Sequence, residues 1–164
     1  MDFLFWNIRN LSENFYIHFP RITQEYSVDI LLLAECATVD DSIIAAFGFI
    51  RVKDQEKENK FSIKAYIKGN IQISKINQYE VNIEELLEMG DQTVTITERI
   101  HKIVRLSVFA IGDKDDPTYL AGIHFPSKLN LDEVKQFQIA DKFKKVILEQ
   151  CKNDKIIIVG DFNH

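Results

Sequence analysis

Short apolar runs, each closed by one polar residue, form the main pattern of this sequence. Residues 3–8, 30–34, 118–123 and 156–159 are such runs, rich in aliphatic, aromatic and β-branched side chains, and they read as strands. From Ile156 to Val159 every residue is β-branched, which predicts a strand buried on both faces, and Gly160 predicts a tight turn as that strand ends. Period-two alternation marks residues 61–68. Phe61, Ile63, Ala65 and Ile67 share one face there; Ser62, Lys64, Tyr66 and Lys68 share a face expected to be wet. Residues 71–76, 92–97 and 102–111 alternate in the same way, and residues 49–52 add a short strand. Gly69-Asn70 predicts a two-residue hairpin turn, and the cluster at 112–117 predicts another turn.

Helical periods lie between these runs. Val134, Phe137, Ala140, Phe143, Val146 and Ile147 form a stripe through residues 131–151, with Asn130 as cap and Glu133 as its capping-box partner. Ser12 caps a helix over 13–26 that Pro20 is expected to kink or interrupt. A short amphipathic helix over 41–47 stops at Gly48, and a helical turn is expected over 83–89. The mixed charges of residues 53–60 read as a solvated loop. Interleaved strands and helices without repeat or linker predict one α/β domain.

Composition narrows the choice of function. The chain has 25 acidic against 20 basic residues, a formal net charge of -5, which argues against a broad nucleic-acid-binding surface. A local lysine track through Lys64, Lys68 and Lys75 stays compatible with that balance. Cys36 and Cys151 have no zinc spacing and read as buried thiols. The chain shows neither a signal peptide nor an apolar run of membrane-spanning length, so the expected setting is cytoplasmic, with no membrane partner.

The polar residues at the strand ends carry the chemistry. Asn7, Glu35, His124, Asp161 and Asn163 each stand at or just beyond the C-terminal side of an apolar strand. Each alone has a structural explanation, such as a backbone-bonded Asn or a solvated carboxylate. Strands finishing at one edge would gather them, where ligands of α/β sheets bind. Carboxylates supply hard oxygen ligands for Mg2+, an Asp can orient or deprotonate water, and amides with an imidazole can hydrogen-bond a charged phosphate.

Trp6-Asn7-Ile8, Leu33-Ala34-Glu35, Gly122-Ile123-His124 and Gly160-Asp161-Phe162-Asn163, in this order, resemble the endonuclease/exonuclease/phosphatase superfamily. Residues 71–75 also resemble one of its strands. The resemblance implies a deoxyribonuclease-I-like, four-layer α/β sandwich of two packed mixed β-sheets flanked by helices. It also implies a divalent-metal-dependent phosphodiester hydrolase, a nuclease above all, using Mg2+ with Mn2+ as substitute. Glu35 and Asn7 then match metal-site residues, His124 a phosphate-stabilising group, Asp161 the water-orienting Asp and Asn163 the phosphate-binding Asn. The substrate implied is a phosphate ester such as DNA or RNA. The family's closing strands and Ser-Asp-His ending have no counterpart, so residues 1–164 are expected to match the N-terminal two-thirds of that domain. Open sheet edges would then pair with a second copy or a complementing chain. The other readings are a catalytically inactive binding or oligomerisation module, and a phosphatase for a small phosphate ester.

Overall fold

A computed structural model describes residues 1–10, 12–53, 63–81, 104–125, 133–152 and 155–162. The elements, in chain order, are β1 (Phe3–Asn7), α1 (Ser12–Glu25), β2 (Ile30–Ala34), α2 (Asp41–Ala45), β3 (Phe49–Arg51) and β4 (Lys64–Lys68). They continue with β5 (Ile73–Val81), β6 (Val104–Ile111), β7 (Thr118–His124), α3 (Glu133–Gln150) and β8 (Ile156–Asp161). The strands form two four-stranded mixed sheets, ordered β1-β2-β4-β3 and β5-β6-β7-β8. Each sheet has one parallel pair at an edge, β1 with β2 and β7 with β8.

Alternation along the strands assigns each sheet two apolar faces, and three cores result. Ile30, Leu32 and Ala34 of β2 meet Phe109, Ile111 and Leu120 of β6 and β7, closing the sheets on one another. The opposite face of the first sheet, with Leu31, Leu33 and Tyr66, is covered by Phe15 and Phe19 of α1 and Ile44 of α2. The outer face of the second sheet, with Leu106, Val108 and Ala121, is covered by Ile139, Phe143 and Ile147 of α3. Helix, sheet, sheet, helix is the expected four-layer sandwich. Each fully buried aliphatic or aromatic side chain contributes roughly 1.5–3 kcal/mol.

Several local expectations are corrected. α1 continues past Pro20 without interruption. Gly69-Asn70 is not a hairpin: β4 and β5 belong to different sheets, so the chain crosses between layers there, with Gly69 at φ 76°. The face of β4 expected to be wet is covered. Tyr66 is buried, and Lys64 and Tyr66 both reach Asp41 of α2. Gly160 makes no turn, because β8 runs on to Asp161.

β8 is not buried on both faces: Ile157 and Val159 face the inter-sheet core, whereas Ile158 is exposed. α3 likewise buries Ile139, Phe143 and Ile147 and leaves Val134, Phe137 and Ala140 of the expected stripe exposed. Between this uncovered side of α3 and the β7–β8 edge runs an apolar groove of about 730 Å3, lined among others by Phe125, Phe137, Leu148, Ile158 and Phe162. Cys36 and Cys151 are both buried, as expected, and burial pushes both thiols above their ordinary pKa. Among the described residues no helix is long and apolar enough to cross a membrane. The expected strand at 92–97, the helical turn at 83–89, the Asn130 cap and most of the 53–60 loop lie outside the described residues, as does Asn163.

Candidate active site

The two parallel edge pairs deliver their C-terminal tips to one place. Asn7 is the register partner of Ala34, the residue before Glu35, and His124 is the register partner of Asp161. Both pairs are stitched beyond these residues, by Ile8 N–H to the Ala34 carbonyl (3.2 Å) and by Phe125 N–H to the Asp161 carbonyl (2.8 Å). Asn7, His124 and Asp161 therefore stand on ladder-held backbone, a firm base for polar side chains, and Glu35 follows directly after the last ladder residue of β2.

Strand parity aims three of the four. Phe3 and Phe5 face the inter-sheet core, so Asn7 continues on that face. Leu120 sets the same face for His124, and Ile157 and Val159 set it for Asp161. Glu35 is the exception. Leu31 and Leu33 face the helices, and continued alternation would send Glu35 after them. Its backbone instead takes a left-handed conformation, φ 48°, which few non-glycine residues adopt. The carboxylate turns to the seam between the sheets, and Cys36 takes the place among the helix-facing residues.

The Asn7 amide is the hub. Its Nδ2 lies 3.1 Å from Glu35 Oε1, 3.0 Å from Asp161 Oδ2 and 3.2 Å from His124 Nε2, while its Oδ1 accepts the Arg9 N–H at 3.0 Å. His124 Nε2 also stands 3.0 Å from Glu35 Oε1. An amide nitrogen carries only two hydrogens. Giving the two Asn7 hydrogens to the carboxylates and an Nε2–H of His124 to Glu35 satisfies the three contacts to oxygen and leaves the approach of Asn7 Nδ2 to His124 Nε2 without a hydrogen bond of its own. All four side chains are partly buried, so they are shielded on the core side and open to solvent on the other.

Two carboxylate oxygens thus converge on one donor nitrogen, two hydrogen-bond lengths apart at most. Among the described residues no three His, Cys, Asp or Glu side chains form a ready metal cage. Mg2+ does not require one, since it is held by one or two carboxylates plus water and substrate phosphate. The donor set, hard oxygens from Glu35 and Asp161 beside a carboxamide, fits that ion. The site brings together four of the five residues expected from the sequence: Asn7, Glu35, His124 and Asp161. Asn163 lies outside the described residues.

A second polar cluster lies on the helix side of the first sheet, where sequence patterning suggested only solvent. Asp41 is ion-paired to Arg51, accepts the Tyr66 hydroxyl at 2.7 Å and has Lys64 Nζ at 3.6 Å. Burial alone would raise the Asp41 pKa, but the Tyr66 and Arg51 hydrogen bonds and the Lys64 charge together bring it below the ordinary value. Burial, then Asp41, drives the Tyr66 hydroxyl well above the usual tyrosine range. Of the lysines compatible with a track, Lys64 is engaged by Asp41, and Lys68 Nζ lies 5.6 Å from the centre of the Phe49 ring.

No protein-family profile matches the chain. No curated protein matches it in sequence. Solved structures do match in three dimensions. TDP2 from C. elegans superposes with a TM-score of 0.59 at 15% identity, over 99% of this chain and 47% of that one. D. rerio TDP2 complexed with single-strand DNA product matches with a TM-score of 0.54 at 12% identity, over 99% of this chain and 60% of that one. An endonuclease/exonuclease/phosphatase family protein from Bacteroides thetaiotaomicron matches with a TM-score of 0.52 at 17% identity, over 92% and 55%. The chain spans about half to three-fifths of the length of these structures. Two mixed sheets packed face to face, with helices outside, give this chain the fold of these solved structures, the deoxyribonuclease-I-like α/β sandwich.

Proposed function

We propose that the chain carries the catalytic residues of a divalent-metal-dependent phosphodiester hydrolase, with nucleic acid as the substrate class. One observation carries this reading: Glu35 Oε1 and Asp161 Oδ2 share the Asn7 amide, with His124 beside them. Support for nucleic acid comes from the D. rerio TDP2 match, whose structure holds a single-strand DNA product.

Glu35, with Asn7 next to it, would hold the ion. Mg2+ bound there supplies a Lewis acid for the phosphoryl oxygen and for charge on the leaving oxygen. Asp161 would orient water against phosphorus and take its proton as the new P–O bond forms and the ester P–O bond breaks. His124 would donate a hydrogen bond to a non-bridging oxygen as its charge grows. Asn163 joins it in this role by the resemblance alone.

Cleavage of a labelled single-stranded oligonucleotide with Mg2+, compared across wild type, Glu35→Gln and Asp161→Asn, tests the proposal. Losing one such group is expected to cost about 100-fold or more in rate. Rates equal in all three proteins, or no cleavage by wild type, would overturn it and favour a non-catalytic binding module.

A further inference from the structure

Three backbone positions beside the site are left-handed without being glycine: Arg9 (φ 51°), Asn10 (φ 56°) and Glu35 (φ 48°). They belong to two neighbouring loops, the one after β1 and the one after β2. The loops are clasped at Asn10. Its N–H donates to the Glu35 carbonyl at 2.7 Å, a short main-chain bond. Its side-chain Oδ1 accepts the Ala37 N–H at 3.3 Å, and its carbonyl accepts the Thr38 hydroxyl at 3.4 Å. One residue therefore contacts the chain at Glu35, Ala37 and Thr38.

The left-handed turn at Glu35 is what aims its carboxylate at the seam, and it is an unfavourable conformation for a glutamate. A strained conformation persists only where its surroundings hold it. β2 ends at Ala34, so the ladder cannot do so. The Asn10 clasp can, and Asn tolerates the left-handed region that its own part requires.

We infer that Asn10 is a positioning residue: it acts through Glu35, holding that residue's backbone in the turn that presents the carboxylate to a divalent cation. This rests on the metal-site assignment of Glu35 made above. The contacts of Asn10 are to Glu35, Ala37 and Thr38 of the loop after β2. Partners that orient a ligand typically govern affinity for the ion by about 10-fold or more.

The test measures Mn2+ binding directly, by water proton relaxation, in wild type, Asn10→Asp, Asn10→Gly, Asn10→Val and Glu35→Gln, with far-UV circular dichroism confirming the fold. Asp keeps the acceptor oxygen and tolerates the backbone, so Mn2+ affinity is expected within about 3-fold of wild type. Gly keeps the backbone and loses the Ala37 bond, giving an intermediate loss. Val is β-branched and resists positive φ, so affinity should fall about 10-fold or more. If Val prevents folding, the Gly and Asp proteins decide, and Gly must bind more weakly than Asp. Wild-type affinity in folded Asn10→Val, or equal affinity in the Gly and Asp proteins, overturns the positioning role while leaving the metal site intact. Unchanged binding in Glu35→Gln overturns the metal site itself, and the positioning role with it.

Discussion

Asn7 and Asp161 stand on the edge strands of different sheets, 154 residues apart along the chain, and the amide of one donates to the carboxylate of the other at 3.0 Å. The same nitrogen serves Glu35. This is a neutral group in a place where electrostatics favours a positive one, and the consequences can be measured.

Asn7→Asp replaces the shared donor by a third carboxylate. Like charges at this spacing disfavour one another, and two hydrogen bonds to ionised groups are lost. Thermal unfolding should show a loss of about 2–3 kcal/mol without divalent ions. Millimolar MgCl2 should recover more stability in the variant than it adds to wild type. A deficit indifferent to Mg2+ would speak against a cation at this point.

Gly160→Ala tests why β8 needs glycine beside Asp161. A Cβ at Gly160 would lie 2.2 Å from the Ile123 carbonyl oxygen, a backbone atom that cannot step aside. β8 must move away from β7, taking Asp161 with it. Chemical denaturation should report a loss of about 3 kcal/mol, in line with severe overpacking, together with lost Mg2+-dependent cleavage.

Glu35→Gly and Glu35→Ala both remove the carboxylate but differ in backbone strain. The left-handed φ of 48° costs alanine roughly 1 kcal/mol that glycine does not incur. Urea midpoints should therefore rank Gly above Ala. Equal midpoints would mean the turn relaxes once the carboxylate is gone.

Asp41→Asn probes the helix-side cluster through pH. The Asp41 pKa is held below its ordinary 3.8 by Tyr66, Arg51 and Lys64 acting against burial. A depressed carboxylate stabilises the fold fully above its unfolded pKa and loses that contribution as pH falls through the folded one. Wild type should thus exceed the variant in stability at neutral pH. The gap should close as pH falls below about 4.

Ser107 is fully buried, and among the described residues its hydroxyl has no hydrogen-bond partner. Ser107→Ala removes that unpaired group from the interior. A gain of about 1 kcal/mol in unfolding free energy is expected, read from urea denaturation.

Much of this architecture was legible in the sequence, for identifiable reasons. Phe3 and Phe5 establish the face on which Asn7 emerges, Leu120 does so for His124, and Ile157 and Val159 for Asp161. Two-residue periodicity, carried to the end of each strand, suffices for all three. Glu35 could be named but not aimed, since its direction comes from a backbone angle that no periodicity encodes. The sheet partner was equally hidden at Gly69-Asn70: a hairpin and a layer crossing both need a flexible turn, and only the register of β4 against β2 separates them. Tyr66 and Lys64 looked solvent-facing because a polar face against helices resembles a wet one until Asp41 is seen opposite it. Ile158 looked buried because β-branched runs occur in edge strands as well as central ones.

Gly122 lies one alternation before His124, where an added Cβ would approach Leu32 Cδ1 at 3.2 Å and Ile63 Cγ2 at 3.4 Å. Half of the polar quartet rides on each of the two slabs that this glycine lets nestle. A bulkier residue there would work as a wedge, opening the gap across which Asn7 reaches Asp161 without altering any reactive group. The distance between slabs is thus a tuning screw for the quartet's geometry, turned by a residue that carries no polar side chain itself.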